Sequence, residues 1–318
     1  MQSQRNFCDA ANRVLSNGAL LWCFAQLYYG DGIMSHAARP FRSVLYLPAS
    51  NARALEKARS LPTDAIIFDL EDAVAAEEKD SARWLLSSAL AAGGYGKRTL
   101  IARINGLDTP WGQADAEVAR DMKADAILLP KVSSAKDVDA LAAIIGKRPI
   151  WAMMETPTGI LNAVEIAAHP QIQCLVMGTN DLASELKSRH RPDREPMLAS
   201  LQHCLLAARA HGVLAIDGVY NAFKDEEGLR LECNQGRDMG FDGKTLIHPA
   251  QLAIANEAFA PSDEEIDLAR RQISAYEAAK AAGKAVAVVD GKIVENLHIV
   301  TARQALDKLE AIAALATE

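Results

Sequence analysis

The chain has 318 residues, of which 50% are hydrophobic, and its formal net charge is −7. A chain of this length and composition can bury a large core, and its acidic balance argues against a general nucleic-acid binder or a cationic membrane binder. An anionic substrate therefore needs local positive charge. The cysteines show no spacing typical of a zinc site or a disulfide framework, which predicts free thiols and a cytoplasmic protein. They are Cys8, Cys23, Cys174, Cys204 and Cys233.

The N-terminal stretch, residues 1–39, lacks the pattern of an organised domain. Its apolar run, residues 19–29, is shorter than the ~18 residues that a membrane-spanning helix needs. We predict that residues 1–39 are a leader, disordered or not part of the native protein. A secretory signal peptide is the alternative, because Arg5 and Arg13 precede the apolar run and Ser35-His36-Ala37 follows it.

From residue 40 onward, short aliphatic or β-branched runs alternate with helical patterns, which is typical of repeated β-α units. Most runs are almost continuously hydrophobic, as expected for parallel strands covered on both faces. The runs are residues 42–48, 65–72, 99–105, 126–132, 149–156, 172–181, 213–220 and 244–248. Such units within residues 40–260 predict an α/β fold, a TIM-type (β/α)8 barrel. A doubly wound open sheet is the rival, but no GxGxxG motif follows any run.

The C-terminal part of the chain, residues 261–318, has a different pattern. A helix-start signal follows Pro261, and residues 264–283 are predicted to form one helix. Residues 285–295 are predicted to be extended with an Asp-Gly turn, and residues 300–315 to form a final helix. We predict that this part is a C-terminal helical lid or an oligomerisation arm.

Polar side chains follow most of the predicted strands. In a barrel of this kind catalytic groups lie at the C-terminal ends of the strands. Each such residue alone is equally explained as a solvated loop residue or a helix cap, but in a barrel they would converge on one rim. They include Asp69, Glu71, Asp72, Arg103, Lys131, Glu155, Asp181, Asp217 and His248.

Two carboxylates, Glu155 and Asp181, follow consecutive strands, which predicts that they are neighbours. Oxygen ligands without a nearby cysteine or histidine suit Mg²⁺, with Mn²⁺ as the alternative, and water and substrate would complete the coordination. Such an ion can hold an α-hydroxycarboxylate and polarise an adjacent oxygen, so we assign Glu155 to substrate binding as well. The alternative is a hydrogen-bonded pair of acids.

Arg103 offers a planar fork for a substrate carboxylate or a thioester oxygen. We predict that it binds substrate and acts in catalysis. The alternative to a role in binding and catalysis is that Arg103 forms a salt bridge at the barrel rim with Glu71 or Asp72. Asp69, Glu71 and Asp72 are predicted to support the binding groups from behind rather than to bind directly.

Further basic and polar residues lie around the first strand and the helix after it. Asn51, Arg53 and Lys57 lie at or just beyond a predicted helix N-terminus, where phosphates are favoured. We assign them, together with Arg42, to binding of a phosphate-bearing substrate such as a CoA ester. The alternative is that these exposed residues only increase solubility.

Several short motifs follow one another along the chain. They are Arg42-Ser43-Val44-Leu45-Tyr46-Leu47-Pro48, Phe68-Asp69-Leu70-Glu71-Asp72, Arg103-Ile104-Asn105, Leu129-Pro130-Lys131, Glu155-Thr156, Gly178-Thr179-Asn180-Asp181-Leu182 and Gly240-Phe241-Asp242-Gly243-Lys244. In this order they resemble the CitE-like, or HpcH/HpaI aldolase, superfamily, and the resemblance covers residues 40–311.

This resemblance implies a TIM barrel that cleaves or makes β-hydroxyacyl-CoA thioesters. It implies Mg²⁺ on the carboxylates that match Glu155 and Asp181, and substrate held by the arginine that matches Arg103. Members similar to this chain form homotrimers or homohexamers in which the C-terminal segment covers a neighbour's active site. The implied partner is therefore a small-molecule CoA thioester, with no nucleic acid and no membrane.

The tail departs from the pattern of the lyases in this superfamily. Those enzymes carry an aspartate in a Gly-Lys-x-x-Asp motif, whereas this chain reads Gly291-Lys292-Ile293-Val294-Glu295. The longer side chain would misplace a general acid or base tuned to carbon. The stretches 151–156, 217–223 and 295–300 look most similar to the (3S)-malyl-CoA thioesterase branch.

The hypothesis is therefore Mg²⁺-dependent hydrolysis of (S)-malyl-CoA to (S)-malate and CoA. Arg103 would stabilise the thioester oxyanion. Glu295, from the same or a neighbouring subunit, would orient or deprotonate the attacking water. Two alternatives stay open, namely a lyase that releases acetyl-CoA and glyoxylate or a related 2-oxo acid, and a partner-dependent subunit like citrate lyase β.

Overall fold

The computed structural model describes residues 39–316, and from Pro40 this part of the chain forms one compact unit. Eight parallel strands close into a barrel in which each strand pairs with the next along the chain. Strand β8 returns to β1, where Lys244 pairs with Ser43. The strands are β1 Ser43–Pro48, β2 Ala65–Asp69, β3 Thr99–Arg103, β4 Ala126–Leu129, β5 Ile150–Met154, β6 Ile172–Met177, β7 Leu214–Asp217 and β8 Gly243–Leu246. The predicted TIM-type barrel is confirmed.

Each strand is buried on both faces because one face lines the barrel interior and the other packs against helices. All five residues of β2 are buried, which explains its uninterrupted run of apolar residues. Alternate side chains point inward because side chains alternate along a strand. The interior includes Val44, Ile67, Ile101, Leu128, Trp151, Val176 and Ile216.

Helices surround the barrel and follow the strands in turn. They are α1 Ala52–Ala58, α2 Lys79–Ala92, α3 Gly112–Ala119, α4 Ala135–Ile145, α5 Pro157–Leu161, α6 Ala163–Ala167, α7 Thr179–Glu185, α8 Leu198–His211, α9 Glu226–Met239 and α10 Leu252–Ala258. Local sequence sets several of their ends. Ser134 and Asp137 form a capping box at the start of α4, and Gly212 ends α8 with a φ of 67°.

The tail forms two long helices joined by a hairpin. Helix α11, Asp263–Ala281, begins with a capping box formed by Ser262 and Glu265. Strands β9, Ala287–Val289, and β10, Lys292–Val294, pair antiparallel around the predicted Asp-Gly turn. Helix α12, Asn296–Ala316, then packs along α11. These elements match the helix, turn and helix expected from the sequence.

Helix α12 ends beside the N-terminal end of the barrel. Lys97, two residues before β3, donates a hydrogen bond from Nζ to the carbonyl of Ala314 at 3.4 Å. With 21 residues, α12 is about 30 Å long. The hairpin at its other end is therefore well removed from Ala314.

The predicted leader lies outside the described residues, except for Arg39. Within residues 39–316, no helix combines the length and the apolar character needed to cross a membrane.

Candidate active site

A cavity of about 520 Å³ opens at the C-terminal ends of the barrel strands. Its wall combines charged groups with apolar residues from strands and the loops after them. The charged groups are Asp69, Asp72, Arg103, Glu155 and Asp181. This is the end at which enzymes of this architecture place their catalytic groups. The structure thus brings together five of the residues that the sequence predicted for one site.

Arg103 and Asp69 end adjacent strands and pair directly with each other in the register of β2 and β3. Arg103 donates from Nε to Asp69 Oδ1 at 2.7 Å and from Nη2 to Oδ2 at 2.6 Å. Both side chains are buried, with 10% and 2% of their surface exposed. Burial lowers the pKa of Arg103, but Asp69, Tyr46 and Glu71 outweigh it and raise the pKa well above its usual value. The guanidinium therefore stays charged and is held in one orientation.

Asp69 also shapes the turn that follows β2. Its Oδ1 accepts a hydrogen bond from the main-chain N–H of Glu71 at 2.8 Å, and Oδ2 accepts one from Ala73 at 3.0 Å. Behind this turn the buried Lys79 donates to the carbonyls of Leu70 and Glu71 at 2.9 and 2.7 Å. Asp69 thus contacts both Arg103 and the turn after β2, and it lines the cavity itself, while its predicted supporting role toward a substrate stays a prediction.

The carboxylate of Glu71 lies between two cations and forms a hydrogen bond of good geometry with neither. Arg103 Nη1 is 2.9 Å from Oε2, and Lys131 Nζ is 3.8 Å from Oε1. Oε2 is nevertheless buried and accepts no hydrogen bond of good geometry. Burial is the main reason that the pKa of Glu71 is raised to about 7, and the nearby Arg103 only partly offsets it. The neighbouring Asp72 is largely exposed and lies 3.7 Å from Arg103 Nη1.

Glu155 follows β5 and is 2% exposed. Its Oε1 accepts a hydrogen bond from the main-chain N–H of Lys131 at 2.8 Å. Gly178 makes room for it, because a Cβ atom on that glycine would lie 2.4 Å from Glu155 Oε2. Burial, followed by the charge of Glu71, raises the pKa of Glu155 to about 8, and Asp181 contributes in the same direction.

Asp181 lines the same cavity. The sequence analysis placed it at the end of a strand, and the structure does not. Strand β6 ends at Met177, and Asp181 lies in the first turn of α7. It is half-buried. The helix begins so soon after the strand that the carboxylate still faces the cavity.

The carboxylates of Glu155 and Asp181 fit a hard divalent cation. Glu155 is buried near other negative charges and has no cation of its own, an arrangement that costs free energy unless a positive charge is added. Residues 39–316 contain no cluster of three or more histidine, cysteine or acidic ligands close enough to form a complete metal site. A cation here would need oxygen atoms from water or substrate, which suits Mg²⁺ better than a structural zinc ion.

The helix after β1 lies at the same end of the barrel as the cavity. Asn51 caps it by accepting a hydrogen bond from Ala54 N at 3.1 Å. Arg53 and Lys57 are exposed on α1. None of these three residues lines the cavity itself, so their role toward a phosphate-bearing group stays a prediction.

Arg42 is a correction to the predicted substrate-binding set. It precedes β1 and so lies at the N-terminal end of the barrel, opposite to the cavity. Its guanidinium is bound by Asp64, with Nε to Oδ2 at 2.9 Å and Nη2 to Oδ1 at 2.8 Å. This contact fixes the ends of two strands, and Arg42 is left out of the proposed site.

Glu295 does not line the cavity of its own chain. It is exposed at the start of α12, where its main-chain N–H donates to His298 Nδ1 at 3.1 Å. Glu295 directly follows the tail hairpin. Its role, whether in its own or in a neighbouring subunit, stays a prediction.

Two other strand-end residues do not reach the cavity. Asp217 points outward, toward the helices, where it binds Lys244 Nζ at 3.0 Å and Arg194 Nη1 at 2.7 Å. His248 caps the last loop by accepting from Ala250 N at 3.1 Å, and it stacks on Phe223. Both residues stabilise structure around the site.

Tyr46 is a cavity residue that the sequence analysis did not single out. Its ring lies 5.0 Å from the Arg103 guanidinium, and its hydroxyl is 4.0 Å from the sulfur of Met153. Strand alternation could have found it, since Tyr46 has the same inward parity as Val44. It also contacts Arg103 through a cation–π interaction.

Comparison with known proteins gives a consistent result. The profile of the HpcH/HpaI aldolase/citrate lyase family matches residues 42–249. The (3S)-malyl-CoA thioesterase of Cereibacter sphaeroides is 67% identical over 281 residues, which cover 88% of this chain and 99% of that protein. Citrate lyase subunit beta of Escherichia coli is 36% identical over 290 residues, covering 87% of this chain and 96% of that protein.

A solved structure agrees with the fold. The crystal structure of the protein CitE from Mycobacterium tuberculosis, in complex with magnesium, acetoacetate and coenzyme A, matches with a TM-score of 0.74 and 30% identity. The match covers 86% of this chain and 99% of that chain. On the family profile, these relatives and the barrel itself, this chain belongs to the HpcH/HpaI aldolase/citrate lyase family.

Proposed function

We propose that this protein hydrolyses (S)-malyl-CoA to (S)-malate and CoA with the help of Mg²⁺, with Mn²⁺ as a substitute. The observation that carries the proposal is the fixed guanidinium of Arg103 in one cavity with the carboxylates of Glu155 and Asp181. Identity of 67% to a (3S)-malyl-CoA thioesterase supports the choice of substrate and reaction.

The acyl end of the substrate is bound where Glu155 and Asp181 lie. These two carboxylates would hold a divalent cation, and the bound cation would supply a Lewis acid for the α-hydroxycarboxylate. The related CitE structure in complex with magnesium and coenzyme A supports both the metal and the class of substrate. The N–H of Lys131 keeps Glu155 in place through the hydrogen bond to Oε1.

Arg103 stabilises the charge that develops on the thioester carbonyl. When water attacks the carbonyl carbon, a C–O bond forms and the carbonyl electron pair moves to the oxygen. Arg103 donates hydrogen bonds to this oxyanion from N–H groups that Asp69 does not use. When the carbonyl re-forms, the C–S bond breaks and CoA leaves as its thiolate. Because Asp69 fixes the fork in advance, little reorganisation is needed during the reaction.

In this proposal the phosphates of CoA contact Asn51, Arg53 and Lys57. Arg53 lies in the first turn of α1, which begins at the cavity end of the barrel, whereas Lys57 lies in its last turn. Neither has a carboxylate partner among the ion pairs of the described residues. Phosphate oxygens near a helix N-terminus also gain from its unpaired N–H groups.

The proton of the attacking water needs an acceptor. We assign this role to Glu295 of the partner subunit, in a homotrimer or homohexamer in which the tail covers a neighbouring cavity. Support comes from the exposed apolar side chains around the hairpin, which a neighbour would bury. They include Val288, Ile293 and Leu297, at 65%, 60% and 72% exposure.

We also propose a cytoplasmic location, which free Cys174, Cys204 and Cys233 support.

The test is an assay of the purified protein with Mg²⁺ and (S)-malyl-CoA. Thiol release is followed continuously, and malate, glyoxylate and acetyl-CoA are each quantified at the end. Thiol release matched by malate, and abolished by EDTA, establishes the hydrolase. Glyoxylate and acetyl-CoA without free thiol identify a lyase instead. No turnover of any free CoA ester points to a subunit that needs a partner, as a citrate lyase β subunit would.

A further inference from the structure

Lys131 has an unusual main-chain conformation for a residue with a side chain. Its φ is 53°, in the left-handed region, and it follows strand β4 after a single proline. Residues other than glycine avoid this region because Cβ approaches the following carbonyl. Three other described non-glycine residues have a positive φ, and Arg194 is one whose buried guanidinium is held by Asp217. The other two are explained locally. Lys187 ends a helix by donating to the Ser184 carbonyl, and Asp290 lies in the hairpin turn.

The conformation of Lys131 has one visible result. It points the main-chain N–H at Glu155 Oε1, 2.8 Å away. A glycine at position 131 would give the same hydrogen bond without the steric penalty. The hydrogen bond therefore explains why the main chain at position 131 adopts this conformation, but it does not explain why the residue is a lysine. The side chain must contribute something that offsets the strain.

The ammonium of Lys131 lies beside Glu71, next to the acidic residues of the cavity, although Lys131 does not line the cavity wall itself. The side chain is 56% exposed, and its Nζ is 3.8 Å from Glu71 Oε1, too long for a hydrogen bond. A lysine side chain is ordinarily charged at neutral pH. The group is thus a cation that lies near several carboxylates and is hydrogen-bonded to none.

Arg103 is much less available than Lys131 to a second anion. Its Nε and Nη2 already bind Asp69, and Nη1 contacts Glu71 at 2.9 Å. The divalent cation of the proposed function would take one oxygen of the acyl carboxylate and the hydroxyl. The second carboxylate oxygen, in an acidic cavity, needs a further cation that is not already committed. Among the described residues near this cavity, Lys131 best meets that condition, and its long side chain can move to meet a ligand.

We propose that Lys131 is a substrate-binding residue whose ammonium pairs with the free carboxylate of the acyl group. The identity of that acyl group rests on the proposed function. The role implies opposite effects on two ligands. Removing the ammonium weakens binding of a carboxylate ligand, whereas it leaves binding of Mg²⁺ unchanged or tighter, because a competing positive charge has gone. A residue needed only for structure would weaken both.

Binding can be measured without turnover by isothermal titration calorimetry on the full chain. The probes are Mg²⁺ alone, (S)-malate with saturating Mg²⁺, and acetyl-CoA, which has no free acyl carboxylate. Lys131→Gly removes the ammonium and the backbone strain together, and Lys131→Met removes only the charge. Lys187→Gly is the matched control, since Lys187 is also left-handed with a φ of 54° but, unlike Lys131 beside Glu71, has no carboxylate within ion-pair distance among the described residues.

For both Lys131 variants we expect malate affinity to fall roughly 10- to 100-fold, the usual range for a hydrogen bond to a charged group. Affinities for acetyl-CoA and Mg²⁺ should not fall, and the melting temperature of Lys131→Gly should equal or exceed that of the wild type. Lys187→Gly should bind all three probes normally.

Three results would overturn the inference: unchanged malate affinity in both variants, a parallel loss for all three probes, or no malate binding by the wild type. Because no step requires catalysis, the inference and the proposed function can fail separately. A wild-type protein that releases no thiol from malyl-CoA, yet needs Lys131 to bind malate, would refute the hydrolase and leave the role of Lys131 in place.

Discussion

Arg103 and Asp69 meet through two parallel hydrogen bonds at the mouth of the barrel, from Nε to Oδ1 and from Nη2 to Oδ2, at 2.7 and 2.6 Å. Only arginine presents two donors with this spacing, and only an ionised carboxylate accepts both. The pairing fixes the guanidinium plane before a substrate arrives. Catalysis by Arg103 should therefore depend on the shape of its side chain and not only on its charge.

Arg103→Lys should keep a positive charge but lose the fork. We expect kcat to fall by roughly 100- to 1,000-fold, as for removal of one oxyanion donor in other enzymes. The measurement is steady-state kinetics with (S)-malyl-CoA, together with circular dichroism to verify folding. Arg120→Lys, at an exposed surface ion pair with Asp121, is the control and should keep full activity. A lysine variant as active as the wild type would remove Arg103 from the catalytic step.

Glu155→Gln tests whether the buried carboxylate is kept for a cation. Without Mg²⁺ the variant should be as stable as the wild type or more so. The raised pKa of Glu155 means that the wild-type carboxyl must bind a proton on folding at neutral pH, and an amide has no such cost. Added Mg²⁺ should stabilise the wild type by about 2.7 kcal/mol at 100 times the dissociation constant, and the variant not at all. Thermal melts with and without Mg²⁺ measure both effects, with the exposed Glu117→Gln as control. Equal stabilisation of variant and wild type by Mg²⁺ would place the cation elsewhere.

The sequence was sufficient to predict the barrel because its strands are buried on both faces. A strand such as β2, in which every residue is buried, is typical of a parallel sheet that is covered on both faces. The secondary structure of the tail could be predicted equally well, because a capping box and an Asp-Gly turn determine local geometry. These features depend on neighbours in the chain and need no tertiary information.

The details of the site depended on information that the sequence does not carry. The contact between Asp69 and Arg103 follows from the register of β2 against β3, which spans 34 residues of sequence separation. Asp181 was placed on a strand end because nothing in the sequence separates a strand end from a helix that begins two residues later. The error for Arg42 was avoidable, since a residue before a strand lies at the N-terminal end of a parallel barrel.

The buried ion pairs outside the cavity make stability depend on pH. Asp217 is fully buried, and although burial raises its pKa, Lys244 and Arg194 outweigh burial and lower it. A carboxyl with a lowered folded-state pKa stabilises the protein above its unfolded-state pKa of about 4 and loses that effect as pH falls through the folded-state value. Acid should therefore remove this contribution.

Asp217→Asn should lower the free energy of unfolding by about 3–5 kcal/mol at pH 7, because it leaves two cations short of a partner. The difference from the wild type should shrink below pH ~4 as the wild-type carboxyl becomes protonated. Urea denaturation at a series of pH values measures it, and the exposed Asp121→Asn is the control. A difference that stays constant down to pH 3 would mean that Asp217 does not titrate in this window.

Glu295 provides the sharpest test of assembly, because it is exposed in its own chain and absent from its own cavity wall. Glu295→Gln should lose roughly 100- to 10,000-fold in kcat, the range for a proton-transfer group, without loss of malate binding. If the glutamate serves a neighbouring cavity, two inactive variants should complement each other. Mixing Glu295→Gln with Arg103→Lys subunits, after dissociation and reassembly, creates cavities that combine an intact Arg103 with an intact Glu295.

The expected result is recovery of activity in the mixture far above that of either variant reassembled alone. Activity should rise with the fraction of mixed oligomers, which native mass spectrometry can count. Mixed oligomers that form but stay inactive would show that Glu295 does not act across subunits. A Glu295→Gln variant with wild-type turnover would exclude it from proton transfer altogether, and the acceptor would then have to be sought among the carboxylates of the cavity itself.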